Sequence, residues 1–506
     1  MQVNSIEDLK KLEDLIAKRL KKIKLNVFYF SLYQFRNNNP RTAPHIIAGL
    51  SLLACRFCIP VKSCDTIRHY LDIGRLVGLY QKYCDDPITF DAELGEKFRI
   101  SNPVFLMLRL ASQQFPLQPD YFGQFARPIW LFDKIPSILQ HKLAFDFDNQ
   151  FQSINQCSVR DFVTTVLVLW TALHRNFSIS QNCFKEWRDL GIHLPSDRII
   201  RAVIHTIAAD QNQLTKRYKQ LRNQDRRFRM YDFNPLLEYP IVKLCKDQRS
   251  SRRDLLHAPI PDLITSRVCE GIYHQMFNTY REKFSKYFGY VFEEYVGIVL
   301  KHYKLPKLIS DAEILNAYGK NPGSCPDWIL VDGSTALIFE CKATAFTRTA
   351  QSIASEEHIN YSLKQVTKGL KQLYQFINKG LKNPEVKNIV GSCNTFKPLF
   401  ISRDPLYLLN SDFFQGHVNN LLKDENITNF EWTVLSIQQL ERLQPHIASG
   451  VSASKVFDDL SKKGFNAVVQ DLEYQTGKRF KDCFLYREQE EIFEKLNILD
   501  KLSSYT

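Results

Sequence analysis

The stretch that most restricts what this chain can fold into is "CPDWILVDGSTALIFECKATAF", from Cys325 to Phe346. Two apolar runs, Trp328-Ile329-Leu330-Val331 and Ala336-Leu337-Ile338-Phe339, are joined at Asp332-Gly333. Glycine accepts the positive φ of tight two-residue turns, so the pattern predicts a β-hairpin. Residues two apart on a strand point the same way, so Glu340 and Lys342 share one face while Cys341 points into the opposite, apolar layer. Hairpin pairing then carries Asp327, at the start of the first strand, to the side of Glu340 and Lys342. "ALIFEC" reads as a buried central strand, where unpaired charges are costly and call for a reason.

Two carboxylates and an ammonium at one end of a sheet suggest one kind of chemistry. Carboxylate oxygens suit Mg²⁺ or Mn²⁺. A lysine beside them can orient or deprotonate an attacking water while the ion offsets charge on a scissile phosphate, which is metal-assisted phosphodiester hydrolysis. Upstream, Gly289, Glu293 and Gly297 fall at i, i+4 and i+8 of a helix expected over Arg281 to Tyr303, and so form one stripe. Glycine in a helix interior costs about 1 kcal/mol. Two of them flanking a glutamate are expected to let the helix approach the sheet, with Glu293 projecting as a third acidic group. Glu294 lies about 100° round the helix and is expected to be solvated or to support the site from outside.

Gly289-x-x-Phe292-Glu293 on a helix, Pro326-Asp327 opening a hairpin and Glu340-Cys341-Lys342 closing it resemble the three motifs of the PD-(D/E)xK nuclease superfamily. The resemblance covers about residues 275–440. It implies a restriction-endonuclease-like α/β core, a mixed four-stranded sheet flanked by helices, with divalent-metal nuclease activity. By that resemblance Asp327, Glu340 and Glu293 would bind the metal, assisted by the backbone carbonyl of Cys341. Lys342 would act on the attacking water. Many members carry a further polar residue on the next helix, here expected over about 356–379. Gln365, Lys368 and Gln372 are the candidates for substrate contact or simple exposure. The Gln-Tyr form of that motif is absent, because Gly369 follows Gln365 and Phe376 follows Gln372 at i+4.

The remainder reads as mostly α-helical. Residues 1–150 form one helical region, 151–274 a second with a basic connector, 275–440 the nuclease-like core, and 441–506 a helical extension. "SISQNCFKEWRDLGIHLPSDRIIRAVI" has the outline of a helix-turn-helix, a pattern that plain helical pairs share. The connector includes "LTKRYKQLRNQDRRFRM" and "KDQRSSRRD", whose basic residues suit either phosphate contact or a solvated face, and its prolines make it a poor helix.

A net charge of +13 on 506 residues fits a polyanionic partner. DNA is favoured over RNA. The helical N-terminal half is expected to sense, position or recruit, through a protein partner or self-association. Such a pairing of helical part and core suits prokaryotic restriction or antiviral defence systems, an analogy at the level of fold. The N-terminus lacks an apolar leader, the longest apolar run is too short to span a bilayer, and 12 dispersed cysteines suit a reducing compartment, so no membrane association and a cytoplasmic location are expected. The one tight cysteine group is Cys55-x-x-Cys58, with Cys64 and His69 downstream. There zinc binding competes with simple packing in an apolar helix. A binding scaffold with an inactive nuclease-like core is the alternative function, opposed by the intact Glu293, Asp327, Glu340 and Lys342.

Overall fold

Alternation of buried and exposed positions divides the chain into a helical half and a layered α/β half. The computed structural model describes residues 6–61, 71–93, 107–108, 110–112, 125–139, 145–180, 183–223, 231–244, 255–320, 323–347, 350–351, 356–406 and 409–497. Helices α1 (Ile6–Leu20), α2 (Leu25–Asn38) and α3 (Pro44–Phe57) share an apolar core in which Phe28, Tyr29 and Leu50 are fully enclosed. Helix α4 (Val159–Arg175) starts on the Ser158 hydroxyl, which accepts from the Asp161 N–H, and buries Phe162, Val166 and Leu169.

The helical half also contains β-structure that the sequence pattern does not reveal. Strands β1 (Ile179–Ser180), β2 (Ala208–Ala209), β3 (Ile241–Lys243) and β4 (Leu255–His257) form a small mixed sheet in the order β1-β4-β3-β2. Two of these strands lie within the stretch expected to be a basic connector. That stretch opens as a helix, α5 (Gln211–Leu221), fixed by an Asp210/Gln213 capping box. Residues 224–230 and 245–254 of the connector lie outside the described residues.

The second half is built on a five-stranded mixed sheet of β5 (Lys307–Ser310), β6 (Trp328–Asp332), β7 (Thr335–Lys342), β8 (Thr395–Ser402) and β9 (Thr433–Ser436), in that order. The four expected strands are β6 to β9, and β5 adds an antiparallel edge. The hairpin register pairs Asp332 with Thr335 and Trp328 with Phe339. Its turn residues are therefore Gly333 and Ser334, one position later than expected, with Gly333 at φ 59°. Strand β7 is the middle strand, paired in parallel to β8, and seven of its eight residues are buried.

Helices cover both faces. On one, Ile309, Ile329, Ile338 and Phe400 meet the buried sides of α7 (Asp311–Tyr318), α8 (Glu356–Asn378) and α9 (Asp412–Lys423). On the other, Trp328, Leu337, Phe339 and Ile401 pack with a large core shared by helix α6 (Gly271–Lys301), α10 (Ile437–Ile447) and the helices of residues 125–207. Helix α6 is longer than the expected Arg281–Tyr303 helix, but Arg281 itself breaks it with φ 50° and ψ −121°. Among the described residues no helix is long and apolar enough to cross a membrane.

Candidate functional site

Backbone pairing delivers Asp327 to the end of the sheet. Its N–H donates to the Phe339 carbonyl at 3.0 Å, and its own carbonyl accepts from the Asp311 N–H at 3.0 Å. The Asp327 Oδ2 then accepts from the Cys341 N–H at 2.6 Å. The peptide N–H and C=O of one strand residue point to the same side, so the Cys341 carbonyl also faces the edge where β6 has ended. The Cys341 side chain lies on the opposite, apolar face, as expected. Burial first, then Asp327, push its thiol far up, which leaves the backbone oxygen as the donor this residue offers.

Glu340 is fully buried, at 0% exposure, and Lys342 forms an ion pair with its Oε1. Its other oxygen, Oε2, has no hydrogen-bond partner. A buried carboxylate left this way is costly in an isolated fold. Burial and then the Asp327 charge push Glu340 up to about 8, against the pull of Lys342 and Lys368. Asp327 is raised as well, burial outweighing Lys342 and the Cys341 N–H. Burial works to lower Lys342, but Glu340 and Asp327 outweigh it and hold the ammonium above its ordinary range. As an ammonium, Lys342 can orient a water beside these carboxylates.

Glu293 arrives on α6 from the far face of the sheet. Burial, then Asp327 and Asp311, push its carboxyl up to about 8. The approach is set by Gly297, where an added Cβ would lie 2.2 Å from the Trp328 ring. The Trp328 indole N–H donates to the Glu293 carbonyl at 3.0 Å. Gly289 does not share this role, since a Cβ there would meet nothing within 4 Å, and nothing in the structure explains that glycine. Glu294 turns away, 32% exposed, with Lys301 Nζ at 3.9 Å.

Two further residues belong to the site and were not visible in the motif. Asp311 opens α7 directly after the edge strand β5, and its charge reaches both Glu293 and Asp327. The capping box Ser310-x-x-Glu313 is the sequence signal that marks this helix start. Gly369 lets α8 lie on the sheet, because a Cβ there would stand 2.6 Å from Phe400 and 3.1 Å from the Glu340 Cγ. On the same helix Gln365 and Lys368 are exposed. Gln372 is half-buried, its Oε1 lacking a hydrogen-bond partner and its carbonyl accepting from Ser324 Oγ at 3.0 Å.

Carboxylate and carbonyl oxygens are what a hard divalent cation takes, and Glu340, Asp327 and Glu293, with the Cys341 carbonyl, are oxygen groups of that kind. The residues present fit Mg²⁺ or Mn²⁺ in chemistry. In geometry, no three His, Cys, Asp or Glu side chains converge as a ligand set among the described residues. Glu340 is paired with Lys342 and Asp327 with the Cys341 N–H.

The other candidates fare differently. Cys55 shares a 3.1 Å hydrogen bond with Tyr29 and burial pushes its thiol up to about 12, while burial also raises Cys58. Both behave as packed thiols, and Cys64 and His69 lie outside the described residues. The helix-turn-helix outline is two helices, Cys183–Asp189 and Asp197–Ile207, whose connection is held by the end of the last helix through His193 N–H to the Leu496 carbonyl at 3.1 Å. In the connector, Arg217 is committed to Glu238 through two bonds of 2.6 and 2.7 Å. Set against known proteins, the chain matches no family model, no curated protein and no solved structure.

Proposed function

We propose that this protein is a divalent-metal-dependent nuclease that hydrolyses phosphodiester bonds in DNA, with a restriction-endonuclease-like core of the PD-(D/E)xK type. The observation that carries this reading is Glu340, a fully buried carboxylate on a central strand that meets Lys342 through Oε1 and has no hydrogen-bond partner on Oε2. A fold tolerates such a group when a bound ligand completes it. Asp327, Glu340, Glu293 and the Cys341 carbonyl would hold Mg²⁺ or Mn²⁺. When bound, the ion supplies Lewis-acid activation of the attacking water and offsets charge gathering on the scissile phosphate.

The chain's own residues do the rest. The Cys341 N–H fixes the Asp327 carboxylate, so one donor is oriented before any ligand arrives. Lys342, held as an ammonium, aligns the water and faces the developing negative charge. Asp311 adds to the negative field that draws a cation to this corner. A role in restriction or antiviral defence, in the cytoplasm and together with a protein partner or a second copy, suits the helical half that packs on the core.

One observation favours a second reading, a binding scaffold with an inactive core: the absence of a converged ligand set among the described residues. The two separate by incubating the protein with Mg²⁺ or Mn²⁺ and circular, linear and single-stranded DNA and RNA, beside Lys342→Ala and Asp327→Ala. Cleavage of DNA by the wild type that both substitutions abolish supports the nuclease. Cleavage that survives both removes the site assignment, and no cleavage of any substrate favours the scaffold.

A further inference from the structure

Helix α8 carries more than the glycine that seats it over Glu340. Tyr361, Lys364, Gln365, Lys368 and Gln372 recur at helical spacing and lie along one stripe. Tyr361 is 63% exposed, while Leu363, Val366, Leu370 and Leu373 on the same helix are completely buried. Lys364, Gln365 and Lys368 are exposed as well, and Lys364 Nζ stands 5.1 Å from the centre of the Tyr361 ring. Glu357, one turn before Tyr361, marks where the basic character ends.

At its other end the stripe reaches the candidate site. Gly369, the residue after Lys368, lies against the Glu340 Cγ. From Tyr361 to Lys368 is roughly 10 Å at the rise of an α-helix. An exposed aromatic ring with one ammonium beside it and a second further along, leading to a cluster of carboxylates, complements a strand that offers both base faces and phosphates. A duplex hides its base faces in the stack, so the ring selects for an unpaired strand.

We propose that this stripe binds an unpaired DNA strand entering the Asp327–Glu340 site, with Tyr361 stacked on a base and Lys364 and Lys368 on backbone phosphates. The DNA assignment rests on the nuclease reading of that site. The strand binding itself is measured separately, in EDTA, where nothing is cut.

Fluorescence anisotropy of the full chain with a labelled single-stranded DNA, its duplex, an abasic strand and the RNA of the same sequence provides the test. Wild type is expected to prefer the single strand. Tyr361→Ala should weaken that binding about tenfold, with the duplex and the abasic strand unaffected, and Tyr361→Trp should retain it. Lys364→Ala should reduce the slope of log affinity against log salt by roughly 0.7. Tyr361 is exposed, so the variants are expected to melt as wild type does. Equal single-strand binding by wild type and Tyr361→Ala, an equal loss on the abasic strand, or tighter binding of RNA overturns the proposal. If wild type cleaves DNA while Tyr361→Ala binds normally, the stripe fails and the nuclease stands. If Tyr361-dependent binding occurs with no cleavage in Mg²⁺, the stripe stands and the nuclease fails.

Discussion

The indole of Trp328 occupies the place where a Gly297 side chain would lie. A Cβ on Gly297 would come within 2.2 Å of the ring, and the ring's N–H is bonded to the Glu293 carbonyl. One contact therefore sets how α6 meets the sheet and where Glu293 stands. Gly297→Ala should cost about 1–3 kcal/mol, since ring or helix must move. Gly289→Ala, which meets open space inside the same helix, should instead stabilise by roughly 0.5–1 kcal/mol. Melting curves of the two variants check both signs.

The raised carboxyls make stability depend on pH. Glu293 and Glu340 are pushed up to about 8, above the ordinary carboxyl range. The folded chain thus holds protons that the unfolded chain releases near pH 4.5. Their contribution is complete below that pH and is lost as pH rises through about 8. Asp327, Asp311, Lys342 and Lys368 are the charged groups that act on these two carboxyls. Melting temperature without metal should fall between pH 5 and 8.5, and Glu340→Gln should reduce the fall.

Metal should reverse that loss. A ligand that binds only the folded state at a hundred times its dissociation constant adds about 2.7 kcal/mol. Raising Mg²⁺ or Mn²⁺ at pH 8 should raise the melting temperature of wild type and leave Glu340→Gln and Asp327→Asn unmoved. Because the ligands must be ionised, calorimetry below pH 8 should record proton release on binding. A metal response in Glu340→Gln equal to that of wild type would place the ion elsewhere.

The helical half is tied to the core by a buried ion pair. The Arg127 guanidinium donates to both Glu441 oxygens, at 2.8 and 2.5 Å, and Tyr295 donates to Oε1 at 2.7 Å. Glu441 is fully buried and Arg127 is 6% exposed. Arg127→Met leaves a buried carboxylate without its cation, at a cost of about 3–5 kcal/mol. Tyr295 lies two residues from Glu293, so the damage should extend to any metal-dependent stabilisation, read from melting with and without Mn²⁺.

Much of the site was legible because local rules fix it. The glycine of the turn and the two-residue strand period placed Asp327 beside Glu340 and Lys342, even with the turn one residue later than expected. What the sequence hid depends on contacts between distant segments. Strand β5 is four residues long with a lysine at its start, too short to show a period, so its pairing with β6, which brings Asp311 to the site, was hidden. The strands of the small sheet are two or three residues each and carry no pattern of their own. Gly369 read as a missing tyrosine, whereas its purpose is the close approach of α8 to Glu340 and Phe400. The Gly289 stripe misled because helical spacing shows which residues align, not how far the helix axis stands from the sheet.

The most direct test of the proposed chemistry is the rate of Mg²⁺-dependent cleavage of single-stranded and plasmid DNA by wild type, Glu340→Gln and Lys342→Ala, with folding of each verified by melting. The expected result is cleavage by wild type that EDTA abolishes and that falls roughly 100-fold or more in each variant. Cleavage by folded Glu340→Gln at the wild-type rate would contradict it.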